Sequence, residues 1–289
     1  MALLSKLLLN FRSVHGRYLC AEGGGGRELV ANRERPDQWE SFTVDNTTGG
    51  VGVQHGDRIA LRARNGNWVY ANNGGGEQLL AMGGPEIGAW EPLTVHNLDS
   101  PGGSIVNGTR VALQAVNGQF VYAEPGGRVV AAGPVIGGWE PFTIELFSFS
   151  WWRSVHGRFL CAEGGGGREL VANRDIPDTW ERFRFHYLDG WPLQDQGRCA
   201  LRANGWQYVF ANNGGGEQLL ANGPAIGGWE PLRVHVLDNP MTDVFSVAIQ
   251  TVNGQFVYAE PGGRVVAAGP AIGDWEPFRM TFPLVLVVG

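Results

Sequence analysis

No apolar run in the 289-residue chain approaches the ~20 residues that a membrane-spanning helix requires. No apolar stripe of helical period survives between its 45 glycines and 16 prolines, which excludes a fold built on long helices. Basic residues are outnumbered, 22 Lys+Arg against 28 Asp+Glu for a net charge of −6, and form no stripe that could neutralise phosphates. Nucleic acid is therefore not an expected partner. Cysteine is scarce: Cys20, Cys161 and Cys199 are odd in number and show neither CxxC spacing nor a Cys/His cluster, so no zinc site is expected. Cys20 and Cys161 occupy one place in two copies of a segment, inside apolar runs, and read as buried free thiols. The opening MALLSKLLLNF lacks the basic n-region and cleavage site of a signal peptide and aligns better as a first strand. The expectation is a soluble chain, cytoplasmic by default.

A catalytic set is missing too. His15 and His156 are equivalent turn residues, and His96 and His235 are equivalent strand residues. No Ser or Cys stands in a nucleophile elbow, and carboxylates are spread evenly over the chain. The glycine run GGGGRE from Gly23 lacks the Lys-Ser/Thr of a phosphate cradle and joins strand to strand. These patterns predict a protein that is not an enzyme and carries no cofactor.

What the chain has is repetition. Six Trp-Glu pairs, Trp39-Glu40, Trp90-Glu91, Trp139-Glu140, Trp180-Glu181, Trp229-Glu230 and Trp275-Glu276, recur at intervals of 41 to 51 residues, each ahead of a strand-like run. Aligned on these pairs, the chain gives six units of four short strands, with Asn-Gly, His-Gly and Gly-rich turns between them. A larger period lies above this one. VHGRYLCAEGGGGRELVANR at Val14 recurs at Val155 with one change, ANNGGGEQLLA at Ala71 recurs at Ala211, and VNGQFVYAEPGGRVVAAGP at Val116 recurs at Val252. The order is A-B-C-A-B-C. Duplication of a three-unit block is natural if three units already close a domain, as in a β-trefoil; a six-bladed propeller is the alternative. The predicted fold is all-β, with two tandem β-trefoil lobes. They span 1–148 (repeats near 7–50, 57–99 and 109–147) and 149–289 (repeats near 149–190, 197–238 and 245–283).

The phrases GRYLCAE, GRFLCAE and GQFVYAE, each followed by a hairpin and closing strands such as FTV at Phe42 and FTI at Phe142, resemble the fascin-like β-trefoil superfamily over essentially the whole chain. The Gly-rich hairpin with its WEPF phrase looks more like trefoil carbohydrate-binding modules, including those for β-glucans, than like animal fascins. That resemblance implies a β-trefoil and leaves glycans, membranes or actin as possible partners.

Strand parity bears on the Trp-Glu pairs. Phe42, Leu93, Phe142, Phe183, Leu232 and Phe278 fall in phase as core positions, with Val44, Val95, Ile144 and Val234 two residues on. Each Trp lies out of phase and should point outward or into a groove between repeats, while the adjacent Glu has core parity but sits at the strand entrance, where it can bend to the rim. An exposed indole offers a flat apolar face to a pyranose ring, and a carboxylate can accept its hydroxyls. All twelve residues of the six pairs are therefore candidate carbohydrate contacts. The other reading makes each indole a seal at a repeat junction and each Glu a clamp on a loop amide.

The second-strand aromatics Tyr18, Trp68, Tyr70, Phe120, Tyr122, Phe159, Tyr208, Phe210, Phe256 and Tyr258 read mostly as packing. Glu22, Asn72, Asn73, Glu124, Glu163, Asn212, Asn213 and Glu260, beside the glycine turns, are a weaker extension of the site. The leading functional reading is a multivalent lectin or carbohydrate-binding module, with a β-glucan-type polysaccharide as the ligand that the resemblance implies. Its rivals are a fascin-type actin bundler, for which no basic patch is evident, and a ligand-free structural protein.

Overall fold

A computed structural model describes residues 8–49, 52–189, 193–238 and 244–282. It is all-β, 48% strand against 5% helical. No described helix is long and apolar enough to cross a membrane. The chain divides into two compact units, the first running through Leu146 and the second beginning at Phe147.

The first unit opens with β1 (Leu8–Ser13), β2 (Tyr18–Ala21), β3 (Leu29–Arg33) and β4 (Phe42–Asn46). It continues with β5 (Arg58–Arg62), β6 (Trp68–Ala71), β7 (Leu79–Gly83) and β8 (Leu93–Asn97), then β9 (Arg110–Gln114), β10 (Phe120–Ala123), β11 (Val129–Gly133) and β12 (Phe142–Ser154). From Phe147 onward β12 pairs within the second unit. There it is followed by β13 (Phe159–Ala162), β14 (Leu170–Arg174), β15 (Phe183–Tyr187), β16 (Arg198–Arg202), β17 (Tyr208–Ala211) and β18 (Leu219–Gly223). The unit ends with β19 (Leu232–Val236), β20 (Val244–Gln250), β21 (Phe256–Ala259), β22 (Val265–Gly269) and β23 (Phe278–Thr281).

In the first unit β1 pairs with β4, β4 with β5, β5 with β8, β8 with β9, β9 with β12 and β12 with β1, closing a six-strand barrel. In the second unit the circuit runs β12, β15, β16, β19, β20, β23 and back to β12. Strands of successive stretches thus hydrogen-bond to one another, which the separate blades of a propeller do not. Closure also removes exposed barrel edges.

The remaining strands form antiparallel hairpins: β2–β3, β6–β7 and β10–β11, then β13–β14, β17–β18 and β21–β22. Within each unit these hairpins bond to one another in a cycle. Gly26 N–H donates to Ala81 O at 2.7 Å, Gly76 N–H to Ala131 O at 2.7 Å, and Ala31 N–H to Gly127 O at 2.7 Å. The second unit repeats this with Gly167 to Ala221 (2.7 Å), Gly216 to Ala267 (2.6 Å) and Ala172 to Gly263 (2.7 Å).

The core follows from strand alternation. Phe42, Leu93, Phe142, Phe183, Leu232 and Phe278 are all buried, as their phase predicts. Phe11 packs edge-on against Phe42 and Phe142, with ring centroids 6.3 and 6.5 Å away. Trp152 fills the second unit and stacks on Phe185 at 6.2 Å. Full burial of each such side chain stabilises the fold by about 1.5–3 kcal/mol. Val95, Ile144 and Val234 are buried as expected, but Val44 is only half-buried. Cys20, Cys161 and Cys199 are buried free thiols. Burial raises the pKa of each; a hydrogen bond to Glu40 for Cys20 and to Glu181 for Cys161 pushes it further.

Candidate functional site

Each Trp of the six pairs lies in the loop between a hairpin and the barrel strand that follows it. Backbone bonds fix four of them against the hairpin: Ala21 N–H donates to Trp39 O (2.9 Å), Ala71 to Trp90 (3.2 Å), Ala162 to Trp180 (3.1 Å) and Ala211 to Trp229 (3.4 Å). The indoles point outward. Trp39, Trp90, Trp139, Trp180, Trp229 and Trp275 keep 40–46% of their surface exposed. In the A repeats the indole edge rests on the glycine turn. A Cβ on Gly24 (φ +81°) would come within 3.1 Å of Trp39 Nε1, so only glycine suits both that backbone conformation and the contact.

The glutamates behave differently. Their place at the strand entrance left them free to reach the rim, yet Glu40, Glu140, Glu181, Glu230 and Glu276 are buried at 3–8% exposure, and Glu91 is intermediate. In all six, Oε2 accepts the backbone N–H three residues earlier: Asp37 (2.7 Å), Gly88 (2.9 Å), Gly137 (2.8 Å), Asp178 (2.8 Å), Gly227 (2.8 Å) and Gly273 (2.8 Å). A charged acceptor makes a strong loop clamp. The physical reason for the inward turn is the loop amide, which offers the carboxylate a charge-assisted donor three residues back.

The second-strand aromatics follow parity only in part, since Phe120 and Phe159, at the inward position, are half-buried. Tyr18, Trp68, Tyr208 and Phe256 are buried, whereas Tyr70, Tyr122, Phe210 and Tyr258 are half-exposed. Three of the latter sit beside an outward indole: Tyr122 with Trp139 (6.2 Å, 45°), Tyr258 with Trp275 (6.1 Å, 49°) and Phe210 with Trp229 (6.4 Å, 16°). Packing was the sequence expectation for them. The available signal was their alternation with Val121, Val209 and Val257, which are fully buried.

Two open pockets result. One, about 380 Å³, is lined by Tyr122, Trp139, Glu140, Pro134, Val135 and the backbone of neighbouring glycines. The other, about 390 Å³, is lined by Tyr258, Trp275, Glu276, Pro270 and Asp274. A histidine packs edge-on against each indole: His15 against Trp139 at 5.9 Å, and His156 against Trp275 at 5.7 Å. Their Nε2 atoms lie 3.1 Å from Ala123 O and 3.0 Å from Ala259 O.

No protein-family model matches the chain, and no curated protein sequence is significantly similar to it. The reading of the site therefore rests on its own geometry. Glu124 and Glu260, expected as a possible extension, line neither pocket and instead approach Arg128 and Arg264. Glu22 and Glu163 bond Asn32 and Arg33, and Asn173 and Arg174. Asn72 and Asn212 donate to Glu77 and Glu217. Asn73 and Asn213 hold positive-φ turn positions. Among the described residues no group of three or more His, Cys, Asp or Glu could hold a metal ion.

Proposed function

We propose that this protein is a non-catalytic, multivalent carbohydrate-binding protein made of two tandem β-trefoil lobes, 1–148 and 149–289. The trefoil reading is supported by six-strand closure in each unit together with three hairpins bonded in a cycle. The observation that carries the functional reading is the pairing of an outward indole with a half-exposed phenol ring over an open pocket of about 380–390 Å³. That volume is at the small end of ligand sites, suited to one or two pyranose rings. The indole stacks on the C–H face of the sugar, and the second ring closes the side.

The division of labour follows from the bonds. Trp carries the ligand contact. The Oε2 of Glu holds the loop that presents the Trp, which leaves Oε1 as the oxygen that a sugar hydroxyl would reach. Single sites of this size are weak, and several sites on one polymer raise avidity about 10²–10⁴-fold where geometry lets them engage together.

Isothermal titration of the full chain against a panel of glucan, galactan and mannan oligosaccharides, beside actin co-sedimentation, tests the reading. Binding to at least one glycan with no actin in the pellet is expected. Silence across the panel overturns it, and actin in the pellet favours the fascin-type alternative.

A further inference from the structure

The six Trp-Glu pairs are not equivalent, and two positions around them change together. The third residue of the hairpin's first strand is Tyr70, Tyr122, Phe210 or Tyr258 in the B and C repeats, but Cys20 and Cys161 in the A repeats. The last residue of its second strand is Gly83, Gly133, Gly223 or Gly269 in the B and C repeats, but Arg33 and Arg174 in the A repeats. So where the second ring is missing, an arginine is present.

The glycines are there for space. Gly83, Gly133, Gly223 and Gly269 keep ordinary φ, yet a Cβ on each would fall 3.2, 2.8, 2.9 and 2.7 Å from Oε1 of Glu91, Glu140, Glu230 and Glu276. A bare backbone at that point puts no side chain on Oε1, and Glu140, Glu230 and Glu276 keep 8% of their surface exposed against 3% for Glu40 and Glu181. In the A repeats the arginine closes it. Arg33 Nε lies 3.7 Å from Glu40 Oε1, and Arg174 Nε lies 3.8 Å from Glu181 Oε1. The far end of each guanidinium is held by a second carboxylate, Arg33 to Glu22 at 3.1 Å and Arg174 to Glu163 at 3.0 Å. With Oε2 on the loop amide, both oxygens of the A-repeat carboxylates are engaged within the chain.

We infer that the A-repeat pairs at Trp39 and Trp180 are self-occupied, with the chain's own arginine standing where a ligand hydroxyl would bind, and that ligand is taken only at Trp90, Trp139, Trp229 and Trp275. This rests on the carbohydrate reading and deepens it: each unit has two working sites, and Tyr70, Tyr122, Phe210 and Tyr258 are the residues that make them. An arginine is suited to the blocking role, because its planar fork satisfies two carboxylates at once.

The test is indole-resolved. The full chain, with ¹⁵N-labelled tryptophan assigned through single Trp→Phe variants, is titrated with laminarihexaose and with the other oligosaccharides of the panel. Shifts are expected at Trp90, Trp139, Trp229 and Trp275, with Trp39 and Trp180 unmoved. Shifts at all six, or at Trp39 and Trp180 alone, overturn the inference and leave the carbohydrate reading intact. No shift at any indole with any glycan overturns both. A gain-of-function arm uses the double variant Cys20→Tyr, Arg33→Gly. With the signal of Trp68, buried in the same unit with its Nε1 bonded to Pro85 O, unchanged as evidence of folding, Trp39 should become a further shifting indole; a folded variant whose Trp39 stays silent overturns self-occupancy as the cause. If that variant does not fold, the wild-type pattern decides alone.

Discussion

The backbone N–H of Gly137 donates to Oε2 of Glu140 at 2.8 Å, and this bond spans the loop that carries Trp139 outward. Trp139 adds its own N–H to the same oxygen at 3.2 Å. Glu140→Ala should leave both amides without their acceptor and destabilise the first unit by about 1–3 kcal/mol. Glu140→Gln, which keeps a carbonyl oxygen in place, should lose less. Chemical denaturation of the two variants checks the order; equal, negligible losses would remove the clamp role.

The outward indoles should behave as a ligand platform. Trp139→Ala or Trp275→Ala removes a ring that already has nearly half its surface in water, so the stability change should stay within about 1 kcal/mol. Trp152→Ala, in the second unit's core, should cost about 3–5 kcal/mol. Melting curves run beside glycan pull-downs separate the two cases. Loss of binding without a large fall in Tm is the expected result for the outward pair.

The barrel was legible in the sequence because its signal is redundant. Phe42, Leu93, Phe142, Phe183, Leu232 and Phe278 recur in phase, and all six are buried. The outward Trp matched an extrapolation of strand parity into the loop, since each Trp lies three residues ahead of its barrel strand. Parity put the neighbouring Glu on the core side, where five of the six are buried, but the expected bend to the rim did not follow. That residue precedes the strand, where the pleat no longer dictates direction and a nearby loop amide does. Parity said nothing of Arg33 or Cys20. Their meaning appears only once the hairpin end and the loop carboxylate are brought together, a contact between residues that sequence spacing does not connect.

The thiols give a direct check on the core. Cys20, Cys161 and Cys199 are buried, and burial raises all three pKa values, so neither access nor thiolate is available in the folded chain. A bulky thiol reagent at neutral pH should label none of them until denaturant is added, when all three should react. Rapid native labelling of Cys20 or Cys161 would contradict the packing of β2 or β13.

A pH dependence is built into the second unit at His186. Its imidazole is fully buried on β15, and desolvation, followed by the charges of Arg202 and Arg184, holds its pKa well below the ordinary 6.5. The folded state therefore keeps His186 neutral at pH values where the unfolded chain binds a proton. Where the unfolded state binds more protons, stability rises with pH. The contribution of His186 is thus fully present above pH 6.5 and is lost progressively as pH falls from there through the depressed folded value. His186→Gln cannot titrate. Between about pH 7.5 and pH 5 the wild-type Tm should fall more steeply than that of the variant, with the two slopes converging above neutrality. Parallel slopes across the whole range would mean that His186 is protonated alike in the folded and unfolded chain, contrary to its burial between two arginines.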